Sequence, residues 1–161
     1  VGYLVVATAG GHDLWLLVIA FALLGAGIGA AETVSGELIL ANAPAAKAGA
    51  ASAVSETAYE LGAVLGTSIL GGILTASYRS SLAIPAAVPE SLAAHARETL
   101  AGAMNAADEL GGELGGALRH AAAAAFDGGV TVTSLIGAVL VMLAAVIGAS
   151  TLGRRRGTAA E

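Results

Sequence analysis

Cysteine is absent from the 161 residues, which excludes a disulfide framework and any thiolate metal site. Charge is scarce: 12% of residues carry it, about half the 25% or so usual in a soluble domain. Positive charge is scarcer than negative, and the net charge is −5. Binding to nucleic acid needs clustered Lys and Arg, and the one such cluster is Arg154-Arg155-Arg156 near the end. Aromatic residues are few and proline occurs only three times, at 44, 85 and 89. What is abundant is apolar or small: 57% hydrophobic residues and 23 glycines. Low charge with many small residues fits helices packed in lipid.

A membrane-crossing helix needs roughly 20 mostly apolar residues. Three stretches meet that length, at 14–42, 50–78 and 130–153. Residues 1–10 (VGYLVVATAG) are apolar from the first position, with no charged leader before them. They read as the end of a fourth span, so the chain reads as the C-terminal piece of a longer protein. The expected fold is therefore all-α and membrane-embedded. Pro44 stops the first full span because it lacks an N–H.

Residues 79–129 are different. They carry Arg79, Arg97 and Arg119 against Glu90, Glu98, Asp108, Glu109, Glu113 and Asp127. Leu92, Ala96, Leu100 and Ala103 share one helical face; Leu110, Leu114, Leu118, Ala121 and Ala125 share another. Two short amphipathic helices in a water-facing loop are expected. Basic residues near span ends favour the cytoplasm. Lys47 and Arg154–Arg156 fall on one side if the spans alternate, so 79–129 is expected outside the cell and the tail at 154–161 inside. Trp15 and Tyr78 then lie at the outer interface, where aromatic side chains collect.

Gly25-Ala26-Gly27-Ile28-Gly29-Ala30 matches the G-x-G-x-x-A of dinucleotide sites. The preceding apolar run is too long for one strand, and no acid follows a second strand. Small residues that let two helices approach explain it better. Gly25 and Gly29 on one span, and Gly62 and Gly66 on the next, are therefore expected to be helix-packing positions.

The chemistry lies in acids within apolar spans. Glu56 and Glu60 stand one turn apart on a face with Ser52, Ala63 and Thr67. Glu32 precedes Pro44 by twelve residues and Glu56 follows it by twelve, so an antiparallel pair brings them to similar depth. A carboxylate at the centre of a spanning helix costs about 2.5–3.5 kcal/mol, so such acids usually face a cavity or a partner. Low dielectric disfavours an ionised carboxyl, and a second carboxylate one turn away does so further. A pair of that kind can hold a proton that an arriving cation displaces. Glu56, Glu60 and Glu32 are the expected substrate-binding or proton-coupling residues; Glu37, nearer the span end, is expected to reach water.

Other chemistries find little support. His95 and Glu98 lack a second histidine at metal-binding spacing. Ser52, Ser55 and Ser68 have no histidine in the spans to activate them, and no Walker glycine–lysine loop occurs. An enzyme, a cofactor and a bound metal are not expected.

Taken together, Gly25-x-Gly27-x-Gly29, then Pro44, a basic residue and Gly49, then ASAVSETAYELGAVLGTSILGG, a long loop, a last span and an arginine-rich end form a familiar order. It resembles the C-terminal end of the fourteen-helix drug:proton antiporters of the major facilitator superfamily, most of all the QacA type of multidrug efflux pump. The resemblance covers essentially the whole chain. It implies that the three spans are the twelfth to fourteenth helices and that 79–129 is the large extracellular loop. It also implies that Glu56 and Glu60 match thirteenth-helix acids implicated in binding cationic drugs and protons. Where the family often has a further acid, Ser55 stands here; Glu32 takes no role from the resemblance. The implied partners are the preceding helices of the same transporter, the bilayer, protons and lipophilic or cationic drugs, in a multi-pass protein of the cell membrane. The different reading left open is a small membrane scaffold or accessory subunit whose acids only join helices.

Overall fold

The computed structural model describes residues 2–9 and 14–157, with side chains described for 2–6 and 14–150. The order is α1 (Gly2–Ala9), α2 (Leu14–Asn42), a 3-10 turn (Ala45–Lys47), α3 (Ala48–Ser81), α4 (Glu90–Glu98), α5 (Leu100–Leu110) and α6 (Gly112–Gly157). No strand occurs among the described residues. Three segments are long and apolar enough to cross a membrane: Leu14–Asn42, Ala45–Ser81 and Gly112–Ser150. The protein is all-α and of membrane type.

The turn after α2 follows from Pro44. Asn42 donates its side-chain amide to the Leu38 carbonyl at 2.8 Å, and Lys47 N donates to the Pro44 carbonyl at 2.7 Å. Ala43 N donates to the Leu40 carbonyl at 3.3 Å, serving one acceptor of the helix end, and the Pro44 bond opens the 3-10 turn. The chain then reverses, so α2 and α3 form a hairpin. In the spans, α3 packs more extensively on α6 than on α2, and α1 lies against α2 and α6.

The last helix differs from the expectation. The spacing placed a second amphipathic helix over Leu110–Ala125 and a separate span at 130–153. Instead α6 runs unbroken for 46 residues. At 1.5 Å per residue that is about 69 Å, twice the roughly 30 Å of a hydrocarbon core, so one end must project beyond the apolar layer. Gly128 and Gly129 each cost about 1 kcal/mol of helix propensity, and packing offsets it. A methyl group at Gly129 would come within 2.9 Å of the Leu74 side chain and 3.2 Å of the Leu74 carbonyl, so glycine there lets α3 and α6 touch.

The first expected face is also divided. Leu92 and Ala96 lie on α4, Leu100 and Ala103 on α5, and Thr99 separates them in extended conformation. Its hydroxyl accepts from Gly102 N at 3.0 Å and so caps α5. The next reversal uses Gly111 and Gly112, whose φ angles of 61° and 53° suit residues without a Cβ.

The most buried core therefore lies in the projecting part and not between the spans. Ala93, Ala96, Ala103, Ala106, Ala107, Leu118, Ala122 and Ala125 pack with Val88 and Tyr78. Helices α4 and α5 and the first half of α6 form a cap around this cluster. Arg97 pairs with Glu90 at 2.8 Å, and Arg119 with Asp108, on its surface. Exposed pairs of this kind add little stability. The physical cause is solvent. Water drives apolar side chains together in the cap, whereas lipid gives apolar spans no such drive toward each other. Accordingly α2 keeps Trp15, Phe21, Ile28 and Val34 exposed within this chain.

Tyr78, expected at the outer interface, lies at the span end and is 3% exposed, at the junction of α3 and the cap. Its hydroxyl donates to the Ala96 carbonyl at 2.8 Å, near the end of α4. That carbonyl belongs to a helix terminus, which needs an outside donor. Tyr78→Phe is expected to destabilise the cap by about 1–3 kcal/mol, the cost of a buried acceptor left unpaired. Faster amide hydrogen exchange confined to α4 and α5 of the full-length protein is the readout.

Candidate functional site

Two apolar helices carry the site. Along α2, Glu32, Ser35 and Gly36 lie within one turn; along α3, Ser52, Ser55, Glu56 and Tyr59 lie within two. The hairpin at Pro44 turns these stretches toward one groove of about 440 Å³, which all seven residues line. Ile28, Ile39 and Leu40 supply apolar wall. The groove thus combines two carboxylates from different helices, three serine hydroxyls and one phenol. In an apolar layer such a set can bind a cation and hold it by charge, with hydroxyls to complete its shell. No group of three metal-binding side chains occurs among the described residues.

The structure places the three expected acids in two settings. Glu32 and Glu56 share the groove, while Glu60, one turn further along α3, is exposed and lines neither this groove nor its neighbour. The face drawn through Ser52, Glu56, Glu60, Ala63 and Thr67 is therefore split. Ser52 and Glu56 turn to α2, and Ala63 and Thr67 line the neighbouring cavity. Glu37 is exposed and lies outside both.

That neighbouring cavity, about 750 Å³, lies among α1, α2, α3 and α6. It shares Ile28 and Tyr59 with the groove and adds the hydroxyls of Tyr3, Thr67, Thr133 and Ser134. Gly62 and Gly66, expected to pack a helix, line it, and within this chain a methyl group at either would meet nothing within 4 Å. Gly25 and Gly29 likewise meet nothing within 4 Å in this chain. Their missing side chains leave space where a seam was expected, because α2 lies only lightly on α3. Close approach falls elsewhere: at Gly2 of α1 against α2, at Gly129 of α6 against α3, and at Gly137, where a methyl group would be 3.0 Å from the Tyr3 ring.

Ser35 and Tyr59 were not singled out as site residues. Each stands three residues after a groove acid, at Glu32 and Glu56, and that i, i+3 spacing was the available signal. Tyr3, Thr133 and Ser134 carry no such signal, since only the packing of α1 and α6 brings them near α3.

No protein-family model and no solved structure matches the chain. Among curated proteins, the multidrug efflux pump LfrA of Mycolicibacterium smegmatis is 46% identical over 138 residues, which is 84% of this chain and 27% of that protein. Over that stretch the chain is similar to part of a drug efflux pump. The methyl viologen resistance protein SmvA of Salmonella typhimurium is 39% identical over 124 residues, 76% of the chain and 25% of that protein. The chain thus spans about a quarter of the length of these relatives. The likeness read from the sequence holds at the level of drug efflux transporters.

Proposed function

We propose that the chain is the C-terminal part of a fourteen-helix antiporter of the major facilitator superfamily, which exports cationic or amphiphilic drugs in exchange for protons. It is a transporter and not an enzyme. It lies in the cell membrane with the α2–α3 turn and Arg154–Arg156 in the cytoplasm and the cap outside. The observation that carries the reading is the groove that Glu32 and Glu56 line together. Two acids in an apolar layer are costly unless they serve a charge. In the proposed cycle a proton rests on the groove carboxylates, and an arriving cation favours their charged form and displaces it. The loaded site opens outward and releases the cation, and a proton taken up there from outside accompanies its return to the cytoplasmic face. Names of the relatives support the cargo: SmvA is named for resistance to methyl viologen, a bipyridinium dication, and LfrA for multidrug efflux.

Ethidium efflux from cells that carry the full-length protein tests this. Efflux is expected to exceed that of cells without it and to stop when a protonophore collapses the proton gradient. Efflux that persists with the gradient gone would remove the coupling to protons. No efflux above the control would leave the chain as part of an accessory membrane subunit.

A further inference from the structure

On the other side of the α2–α3 hairpin lies a second kind of groove. It measures about 640 Å³ and is walled by Ile39, Ala43, Ala50, Ala51, Val54 and Ala58. Small side chains make it a shallow channel along α3. Lys47, the only lysine of the chain, stands at its mouth in the turn after Pro44. Lys47 is exposed, and among the described residues its ammonium has no ion pair.

We propose that this groove holds an anionic phospholipid of the surrounding bilayer, with its phosphate at Lys47 and one acyl chain along α3. Three features fit one occupant. The groove opens between two helices long enough to span a membrane, at the end where they turn, and a turn joining two spans faces the headgroup side of the bilayer. Charge sits only at this end, and the wall beyond it is apolar apart from Ser55. The length also matches. From Lys47 to Ala58 the helix rises about 16 Å, close to half of the roughly 30 Å hydrocarbon core, which is one leaflet. A lysine near an anionic leaflet attracts its headgroups directly. The groove shares Ile39 and Ser55 with the Glu32–Glu56 site, but Lys47 and Val54 line only this groove and neither acid does, so variants at Lys47 and Val54 test the inference apart from proton coupling.

The test uses the full-length protein in nanodiscs with equal phosphatidylglycerol and phosphatidylcholine. Lipids retained after detergent extraction are counted by native mass spectrometry. Phosphatidylglycerol is expected to be enriched about fivefold, the effect of one lysine beside an anionic headgroup. Lys47→Gln is expected to abolish the enrichment and Lys47→Arg to keep it. In a second measurement, Val54→Cys is expected to react with a maleimide confined to the bilayer. Equal retention of both lipids by the wild type, or unchanged enrichment in Lys47→Gln, overturns the proposal. So does a Val54→Cys shielded from the bilayer reagent, which would mean that another helix of the protein fills the groove. Displacement of the retained lipid by millimolar inorganic phosphate also counts against it, because the acyl chain would then contribute nothing.

Discussion

Glu56→Gln in the full-length protein is expected to abolish drug-induced proton release and to weaken binding of a cationic drug by at least about thirtyfold. The magnitude follows from charge pairing away from water. Removing one partner of such a pair costs about 2–5 kcal/mol, and 1.4 kcal/mol is a factor of ten. Gln keeps the shape and hydrogen bonding of the side chain, so lost charge is what the variant reports. Proton release on adding drug to the purified protein, followed with a pH-sensitive dye, is the measurement.

The three acids separate in the same assay. Glu32 lines the groove with Glu56, so Glu32→Gln is expected to impair a dication such as methyl viologen more than a monocation such as ethidium. Two positive charges need two carboxylates, and Ser55 supplies none on α3. Glu60 lines neither cavity, and Glu60→Gln is expected to reduce release less than Glu56→Gln. Release lost in Glu60→Gln and kept in Glu56→Gln would place the exchanged proton on Glu60 and remove the groove from the mechanism.

Leu118→Ala is expected to have the largest effect on stability. Leu118 is fully buried at the centre of the cap, among alanines that cannot move far to fill a void. Such a truncation costs about 2–5 kcal/mol. The cap is built from short helices, α4 with 9 residues and α5 with 11, which are marginal without packing. Local opening of α4 and α5 is therefore expected to rise at least about thirtyfold, since each 1.4 kcal/mol is a factor of ten. Limited proteolysis of the full-length protein measures it, with cleavage concentrated between Leu82 and Gly112. An unchanged cleavage rate would mean that the cap draws its stability from elsewhere.

Membrane-type helices were legible because lipid selects composition strongly. A run such as Leu14–Ala31 has no charge and admits few other readings. The meeting of Glu32 and Glu56 was legible for a simple geometric reason: Pro44 lies midway between them, and an antiparallel hairpin equalises depth. The separation of Glu60 was not. A residue one turn away lies about 40° round the helix, and whether that crosses a groove edge depends on where α2 sits. The expected packing glycines find no partner helix within this chain. A small residue permits close approach but does not compel it, so Gly62 and Gly66 are equally compatible with a seam and with a cavity wall.

In the loop the pattern at 79–129 correctly marked apolar faces but not which helix each belonged to. Thr99 divides one face by capping α5, and α6 runs through Gly128 and Gly129, the latter set against α3. Tyr78 was read from its position at a span end, yet a donor to the Ala96 carbonyl is needed there, and only the folded cap brings that carbonyl close. The sequence by itself determined an all-helical membrane protein with acids in its spans, because solvent preference and helical period act on local residues. Only the tertiary structure decided that Glu60 falls outside the groove that Glu32 and Glu56 share, that Gly62 and Gly66 line a cavity, and that the buried core lies in the cap. Those outcomes depend on contacts between distant segments, and water enforces such contacts in the cap where lipid leaves the spans loosely joined.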